Sequence, residues 1–465
     1  MIKVLISHFL FLFFGNIYAE SKNPNIIIFL VDDLGWMDIG CNGSDYYRTP
    51  NIDKLAAEGV RFTNAYAACA VCSPTRASIM TGKYPARLLL TNWLPAGRWD
   101  PNSKLSEGRF LRSLPPEEIT LPEALRDIGY RTAHIGKWHL GGPPFSLPEH
   151  HGFDVNVGGN SHGAPGNHFY PYAGDWKIPT TGKRARWNTL KDGKKGEYLT
   201  DRLTDEAIQF VKQNKEGPFF LHLSHYAVHS PLQSKEKLIE KYKKIPKSKR
   251  QGNPVYAGMV ESVDQSLGRI TDLLKEESID NDTMILFTSD NGGFAKATDN
   301  SPLRANKGAY YEGGIRVPLL VRWPNKIKAG KVINTPVISP DLYPTCISVA
   351  GSQLKSGQIC DGVNMLPLMI GDEQIDRHSI FWHFPHYNGH PSSFPSSVIR
   401  KGDWKLIQSF DPAKVELFNL TDDISEKYDL ANIRTNVRDE LLVELNAWRE
   451  EVGAEMMKIN QRKQD

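Results

Sequence analysis

NIIIFLV, residues 25–31, is an unbroken apolar run rich in β-branched side chains, and Asp32-Asp33 follows it directly. An apolar run without alternation matches a strand covered on both faces, as in a parallel sheet. A second apolar run, residues 284–289, leads in the same way into Asp290-Asn291-Gly292-Gly293. In a parallel sheet both clusters then lie at the carboxyl ends of strands, the edge where ligands bind. Asp32, Asp33, Asp290 and Asn291 offer only oxygen, a donor set that suits Ca²⁺ or Mg²⁺ rather than zinc. One Asp after a strand caps a turn; two such clusters on one edge argue for a metal.

Outward from these runs the same alternation recurs. Thr49-Pro50 opens a helix, with Thr49 as N-cap and Pro50 at the first helical position. Ser73-Pro74 repeats the signature, with Ser73 as N-cap of a helix reaching about residue 81. Thr120 caps LPEALRDIG, which Gly129 ends, and the strand YRTAHIG follows. Residues 198–214 and 255–277 read as helices and 218–224 as a strand. This rhythm predicts an α/β fold with a large, mostly parallel, doubly wound sheet. It weakens after Pro367, where HSIFWHF, SSVIRKG and WKLIQSF read as short strands before a helix at 437–452. A smaller C-terminal antiparallel sheet with a helix is expected there. The expected division is a leader at 1–19, a large α/β domain at 20–367 and a small α+β unit at 368–465.

The chain has 465 residues and a formal charge of +3. No basic block argues for nucleic acid; the densest, KEKLIEKYKKIPKSKR at 235–250, carries Glu236 and Glu240 and lacks aromatics, as a solvated helix or loop does. Lys3, the apolar run 4–14 and Ile17-Tyr18-Ala19 read as a signal peptide cleaved before Glu20, too short for a membrane span. The mature chain is therefore expected outside the cytoplasm, periplasmic or secreted, with no membrane association after cleavage. Of the five cysteines, Cys41, Cys69, Cys72, Cys346 and Cys360, the last two flank a short loop that a disulfide would close.

Four further segments carry chemistry. Cys72 stands before the helix that Ser73 opens, and a helix N-terminus favours anions. Arg76 is one turn in, placed to neutralise charge. Cys69 and Cys72 also have redox CxxC spacing, but without the preceding strand of a thioredoxin context. Lys137 and His139, two apart in KWH after a strand, project to one side if extended. His229 precedes Ser230-Pro231, which fixes the turn after it. His222 and His225 invite a zinc reading with His229, yet fit structural roles at a strand end. Lys307 lies in LRANKGAYYEGGIRVP, a tight loop by its glycines, where a lysine meets a ligand or is merely solvated.

Together PNIIIFLVDDLGWMDIG, TPNIDKLAAEGVRFTNAY, CSPTRASIMTGKYPAR, GYRTAHIGKWHLG, AVHSPL, TSDNGG and NKGAYYEGGIRVP occur in this order between residues 24 and 318. They resemble the type I sulfatase family of the alkaline phosphatase-like superfamily. FNLTDDISEKYDLA resembles the family's closing motif, and HGFDVNVGGNSHG its N-acetylgalactosamine-6-sulfatase and arylsulfatase A-like branch. The resemblance implies that a maturation enzyme oxidises Cys72 to formylglycine, whose hydrated aldehyde is the nucleophile. It implies one Ca²⁺ held by Asp32, Asp33, Asp290 and Asn291, with residue 72 at the metal. Arg76, Lys137, His139, His229 and Lys307 would surround the sulfate. Asp290 would help deprotonate the nucleophile, His229 and Lys307 would meet the leaving oxygen, and His139 would take the proton whose loss expels sulfate.

A sulfated carbohydrate is the implied substrate, and a galactose-configured sugar sulfated at O4 or O6 is the particular expectation. His162, Arg304, Trp382, His383 and His386 are expected to face it, through ring stacking and charge; for Trp382 core packing is the competing reading. Two other functions fit parts of the pattern. One is a formylglycine-dependent phosphatase, phosphodiesterase or phosphonate hydrolase. The other is a non-catalytic binder of sulfated glycan, against which the complete polar set argues.

Overall fold

Every residue of the run at 25–31 is buried, because its strand lies at the centre of an eight-stranded sheet. The computed structural model describes residues 23–95, 100–177, 183–371, 374–390 and 392–461; the expected leader lies outside them. In chain order the sheet contains β1 (Asn25–Val31), β2 (Val60–Phe62), β3 (Arg131–Gly136) and β4 (Val155–Val157). β5 (Phe219–Ser224), β6 (Thr283–Ser289), β7 (Leu319–Arg322) and β8 (Lys331–Ile333) complete it. Their spatial order is β8-β2-β7-β6-β1-β5-β3-β4. β1 runs parallel to β5 and β6, while β7 is antiparallel to both its neighbours.

Side chains of a strand alternate between faces, and β1 uses both. Ile27, Phe29 and Val31 join the core under the helices Leu199–Asn214 and Pro254–Glu276. Ile26, Ile28 and Leu30 join the opposite core with the helices Cys72–Thr81, Leu121–Arg126 and Leu342–Val349. This double cover explains why the run is apolar throughout. Thr120 caps its helix through a reciprocal box with Glu123, and Pro50 occupies the first position of Pro50–Ala57.

The C-terminal sheet is separate and antiparallel, with β9 (Ser379–Phe384), β10 (Ser396–Lys401), β11 (Trp404–Phe410) and β12 (Ala413–Asn419) paired in order. Its fourth strand was not expected, because AKVELFN carries two charges and offers little apolar alternation. The helix Thr435–Glu451 covers one face, and Tyr66 and the segment 68–71 pack in the same core. The basic stretch at 235–250 begins with a helix, Glu236–Lys243. Cys346 and Cys360, whose short intervening loop a disulfide could have closed, are separate thiols. Cys346 points into the core, while the Cys360 thiol donates to the Gly82 carbonyl. No helix among the described residues is long and apolar enough to cross a membrane.

Trp382 ties the C-terminal sheet to the segment before the Cys72 helix. It is 1% exposed, its indole N–H donates to the Ala67 carbonyl at 2.8 Å, and its ring meets Tyr66 edge-on at 5.5 Å. Ala67 precedes the Cys72 helix in the same buried segment. Trp382→Ala is expected to cost about 3–5 kcal/mol of stability, read by urea unfolding, with KM for a small aryl sulfate unchanged. A changed KM at intact stability would instead place the ring against substrate.

Candidate active site

The carboxyl ends of β1 and β6 deliver the two acidic clusters to one place. Asp33 adopts a left-handed φ of 62°, and its N–H donates to Asp290 Oδ1 at 3.2 Å. Asn291 Nδ2 donates to Asp33 Oδ1 at 2.8 Å. Ligand atoms of Asp32, Cys72 and Asp290 lie within 4.8 Å of one another, as do those of Asp32, Asp33 and His229. Asp32 Oδ1 and Asn291 Oδ1 are buried without a hydrogen-bond partner. Two orphaned oxygens among three carboxylates and an amide fit a hard divalent cation.

Three cations stand against these carboxylates. Arg76 Nε and Nη2 both reach Asp290 Oδ2 at 2.8 Å, while Nη1 donates to the Lys137 carbonyl and Ser224 Oγ. Lys137 Nζ pairs with Asp32 Oδ2 at 2.7 Å, and Lys307 Nζ with Asp33 Oδ1 at 2.5 Å. Burial, helped by repulsion from Asp290 and Asp33, pushes the Asp32 carboxyl up despite Lys137. Burial also opposes the Asp33 and Asp290 carboxylates, but Lys307 at the first and Arg76 at the second hold them below the ordinary range. Against burial, Asp33 raises the Lys307 ammonium above its usual value, so this lysine remains a cation.

Cys72 is the first residue of its helix, two positions earlier than a Ser73 cap would place the start, and Val71 holds the N-cap position without a side-chain bond. Ser73 does not cap; its hydroxyl accepts from the Leu94 N–H at 3.1 Å. The first turn also lacks an acidic residue, which leaves its positive end to a bound anion. Burial pushes the Cys72 thiol up, which makes an unmodified cysteine a weak nucleophile.

The two histidines act through opposite nitrogens. His139 has a left-handed φ of 61°, so KWH is not extended, and buried Trp138 packs into the core between the two polar side chains. His139 Nε2–H donates to the Leu94 carbonyl at 2.6 Å, leaving buried Nδ1 without a partner as the proton acceptor. His229 Nδ1–H donates to the Ser230 carbonyl at 2.7 Å, leaving Nε2 at 3.8 Å from Asp33 Oδ2. The turn bearing it is tied to β1, because Val228 N–H donates to the Asp32 carbonyl. Burial keeps both rings neutral, with Lys137 adding to the effect at His139 and Lys307 at His229, whose pKa falls to about 3.

A cavity of about 280 Å³ opens over this cluster, lined by Cys72, Asp33, His139, His229 and Lys307. Arg76, Lys137, Asp32, Asp290 and Asn291 lie behind that lining. Trp93, Leu94, Phe294 and His390 also line it, and nothing in the sequence points to these four. Trp93 stands in a loop without a motif, and Phe294 directly follows the Asp290-Asn291-Gly292-Gly293 run without belonging to it. His390 lies in the same His-rich stretch as His383 and His386, and nothing in the sequence distinguishes it from them.

Four expected substrate contacts do not reach the cavity. Trp382 is the interior brace described above. His383 is buried between Ser397 Oγ at 2.7 Å and the Glu455 carbonyl at 3.0 Å. His386 is buried between Thr91 Oγ1 and Glu107 Oε1, each at 2.8 Å. Arg304 faces the C-terminal unit, stacked 3.7 Å from the Tyr311 ring centroid. The polar ends of Trp382, His383 and His386 are consumed inside the protein, while the partly exposed Arg304 is spent on the C-terminal unit. His162 stacks on Trp187 at 4.5 Å, next to the cavity-lining Gly163 and Ala164. His222 and His225 serve the interior, paired with His134 and Ser266.

The family model "Sulfatase" matches residues 24–352, and "N-sulphoglucosamine sulphohydrolase, C-terminal" matches residues 305–451. Steryl-sulfatase of Homo sapiens is 33% identical over 465 aligned residues, 81% of this chain and 75% of that protein. N-acetylgalactosamine-6-sulfatase of Canis lupus familiaris is 33% identical over 383, covering 78% and 69%. The solved structure of Ps i-CgsB with k-i-k-neocarrahexaose superposes with a TM-score of 0.78 at 33% identity, over 92% of this chain and 93% of that one. The chain belongs to the sulfatase family and has its alkaline phosphatase-like fold. It is a sulfuric ester hydrolase.

If the oxygen cluster binds one Ca²⁺ in the folded state alone, the ion stabilises the protein by mass action. Chelator-stripped protein is then expected to melt at a higher temperature when Ca²⁺ is restored, and Asp290→Asn to reduce the shift. A melting temperature indifferent to divalent cations contradicts the assignment.

Proposed function

We propose that this chain cleaves sulfate from a sugar of a sulfated glycan, with formylglycine made from Cys72 as its nucleophile. The observation that carries this reading is the meeting of Cys72, at an uncapped helix start, with Lys307, His139 and His229 in one cavity over an all-oxygen cluster. Asp32, Asp33, Asp290 and Asn291 would hold one Ca²⁺, which supplies positive charge against the sulfate oxygens. Formylglycine supplies a gem-diol, whose second hydroxyl allows sulfate to leave without water attacking sulfur.

The chain's own groups then have distinct tasks. Lys137 and the helix start stabilise the charge of the sulfate group. Asp290, kept ionised by Arg76, is the base for the attacking hydroxyl. Lys307 Nζ meets the oxygen leaving with the sugar, and neutral His229 lies beside it with Nε2 free to exchange a proton. His139 Nδ1, the orphaned acceptor, takes the proton whose loss releases sulfate. Arg76 does not line the cavity; it fixes Asp290 and the Lys137 carbonyl.

A galactose-configured sugar, sulfated at O4 or O6, is the specific substrate reading. It is supported by the N-acetylgalactosamine of one relative's name and the neocarrahexaose bound to a structural relative. Trp93 and Phe294 offer faces for a sugar ring. The leader expected at 1–19 supports action in the periplasm or outside the cell, after maturation by a formylglycine-generating enzyme. Residues 20–367 would form the catalytic domain and 368–465 its C-terminal support.

Matched sulfate, phosphate and phosphonate esters test the reaction class. Sulfate turnover is expected to dominate, and Cys72→Ala to abolish it with an unchanged melting temperature. Faster phosphate or phosphonate turnover, or an active Cys72→Ala protein, contradicts the proposal.

A further inference from the structure

The loop carrying Lys307 is held from the C-terminal unit at both ends by Glu426, beside the contacts of Lys405 with Glu312 and of Glu416 with Tyr311. This glutamate is fully buried and adopts a left-handed φ of 51°, a backbone state that persists in a bulky residue only where its surroundings enforce it. Its carboxylate accepts from the Glu312 N–H at 2.7 Å and forms an ion pair with Lys405 at 2.9 Å. Lys405 in turn pairs with the Glu312 carboxylate at 2.9 Å. The Glu426 carbonyl accepts from Arg304 Nη1 at 2.6 Å. Arg304 and Glu312 bracket Lys307 in sequence, so Glu426 grips both ends of the loop.

Between those grips the loop turns sharply, with left-handed φ values of 62° at Ala305 and 92° at Gly308. The Lys307 N–H donates to the Gly293 carbonyl and the Gly308 N–H to the Ala70 carbonyl. The backbone of Lys307 is thus strung between the acidic loop and the nucleophile segment. Its register there depends on where the loop ends are fixed. Arg316 and Arg400 add charge to the same buried group, the first pairing with Glu312 and both surrounding Tyr66.

We propose that Glu426 is a positioning residue for Lys307: it acts on the leaving group from the far domain, by fixing the loop at Arg304 and Glu312. This rests on the role given above to Lys307. Buried charge networks of this kind add little net stability relative to apolar packing, and here the network spans the catalytic loop and the C-terminal unit. It also assigns a task to the ISEKYDL segment, which reaches no part of the cavity.

The test uses full-length matured protein and a series of substituted phenyl sulfates from good to poor leaving groups. Lys307→Ala is expected to steepen the dependence of kcat/KM on leaving-group pKa. Glu426→Gln is expected to steepen it the same way, with about tenfold loss on the poorest leaving group and little on the best, since small misplacements of a catalytic group carry losses of that order. Arg304→Met carries the same expectation and, at a half-exposed side chain, keeps the test alive if Glu426→Gln does not fold. Formylglycine content and melting temperature are measured on each variant. A uniform loss across the series, or none, in folded Glu426→Gln or Arg304→Met overturns the proposal while leaving Lys307 its role. An unchanged slope in Lys307→Ala overturns that role, and the clamp with it.

Discussion

Asp32, Asp33 and Asp290 meet Arg76, Lys137 and Lys307 at the carboxyl ends of two adjacent strands, all of them buried. Burying an ion costs several kcal/mol before its partner repays any of it, and well-packed apolar residues would do as well for stability. Such a cluster is explained by chemistry. The three carboxylates are matched by three cations. A divalent cation held there would add two positive charges, which the proposed sulfate monoester and deprotonated nucleophile would offset. The surrounding structure follows from holding these groups together: β1 and β6 end here, and the helix of Cys72 starts here without a cap.

The C-terminal unit braces this centre at two places. Trp382 holds the segment before Cys72 through Ala67, and Glu426 holds both ends of the Lys307 loop. Among the described residues of that unit, only His390, beyond β9, enters the cavity wall. Aromatic and basic residues concentrated in a C-terminal strand therefore suggested substrate contact, while most of them are interior supports. The polar ends of His383 and His386 meet protein partners, leaving no capacity for a sugar.

The central sheet was legible because NIIIFLV has no polar face, and both its sides are covered. The acidic clusters were legible because each follows such a run directly, so topology alone brings them together. Cys72, Arg76, Lys137, His139, His229 and Lys307 stood in motifs that kept their order along the chain. The cavity wall was harder to read. Trp93, Phe294 and His390 come from loops whose course depends on distant packing, and no periodicity marks them. The fourth strand of the small sheet was hidden by Lys414 and Glu416, and the start of the nucleophile helix by a Ser-Pro pair whose hydroxyl serves Leu94 instead.

The central claim is that the encoded thiol is only a precursor, which its buried and protonated state already disfavours as a nucleophile. Peptide mass spectrometry of residue 72, on preparations matured to different extents, tests it most directly against specific activity. The expected result is activity proportional to the fraction carrying formylglycine and vanishing at zero fraction. Full activity from protein whose Cys72 remains an unmodified thiol would contradict it.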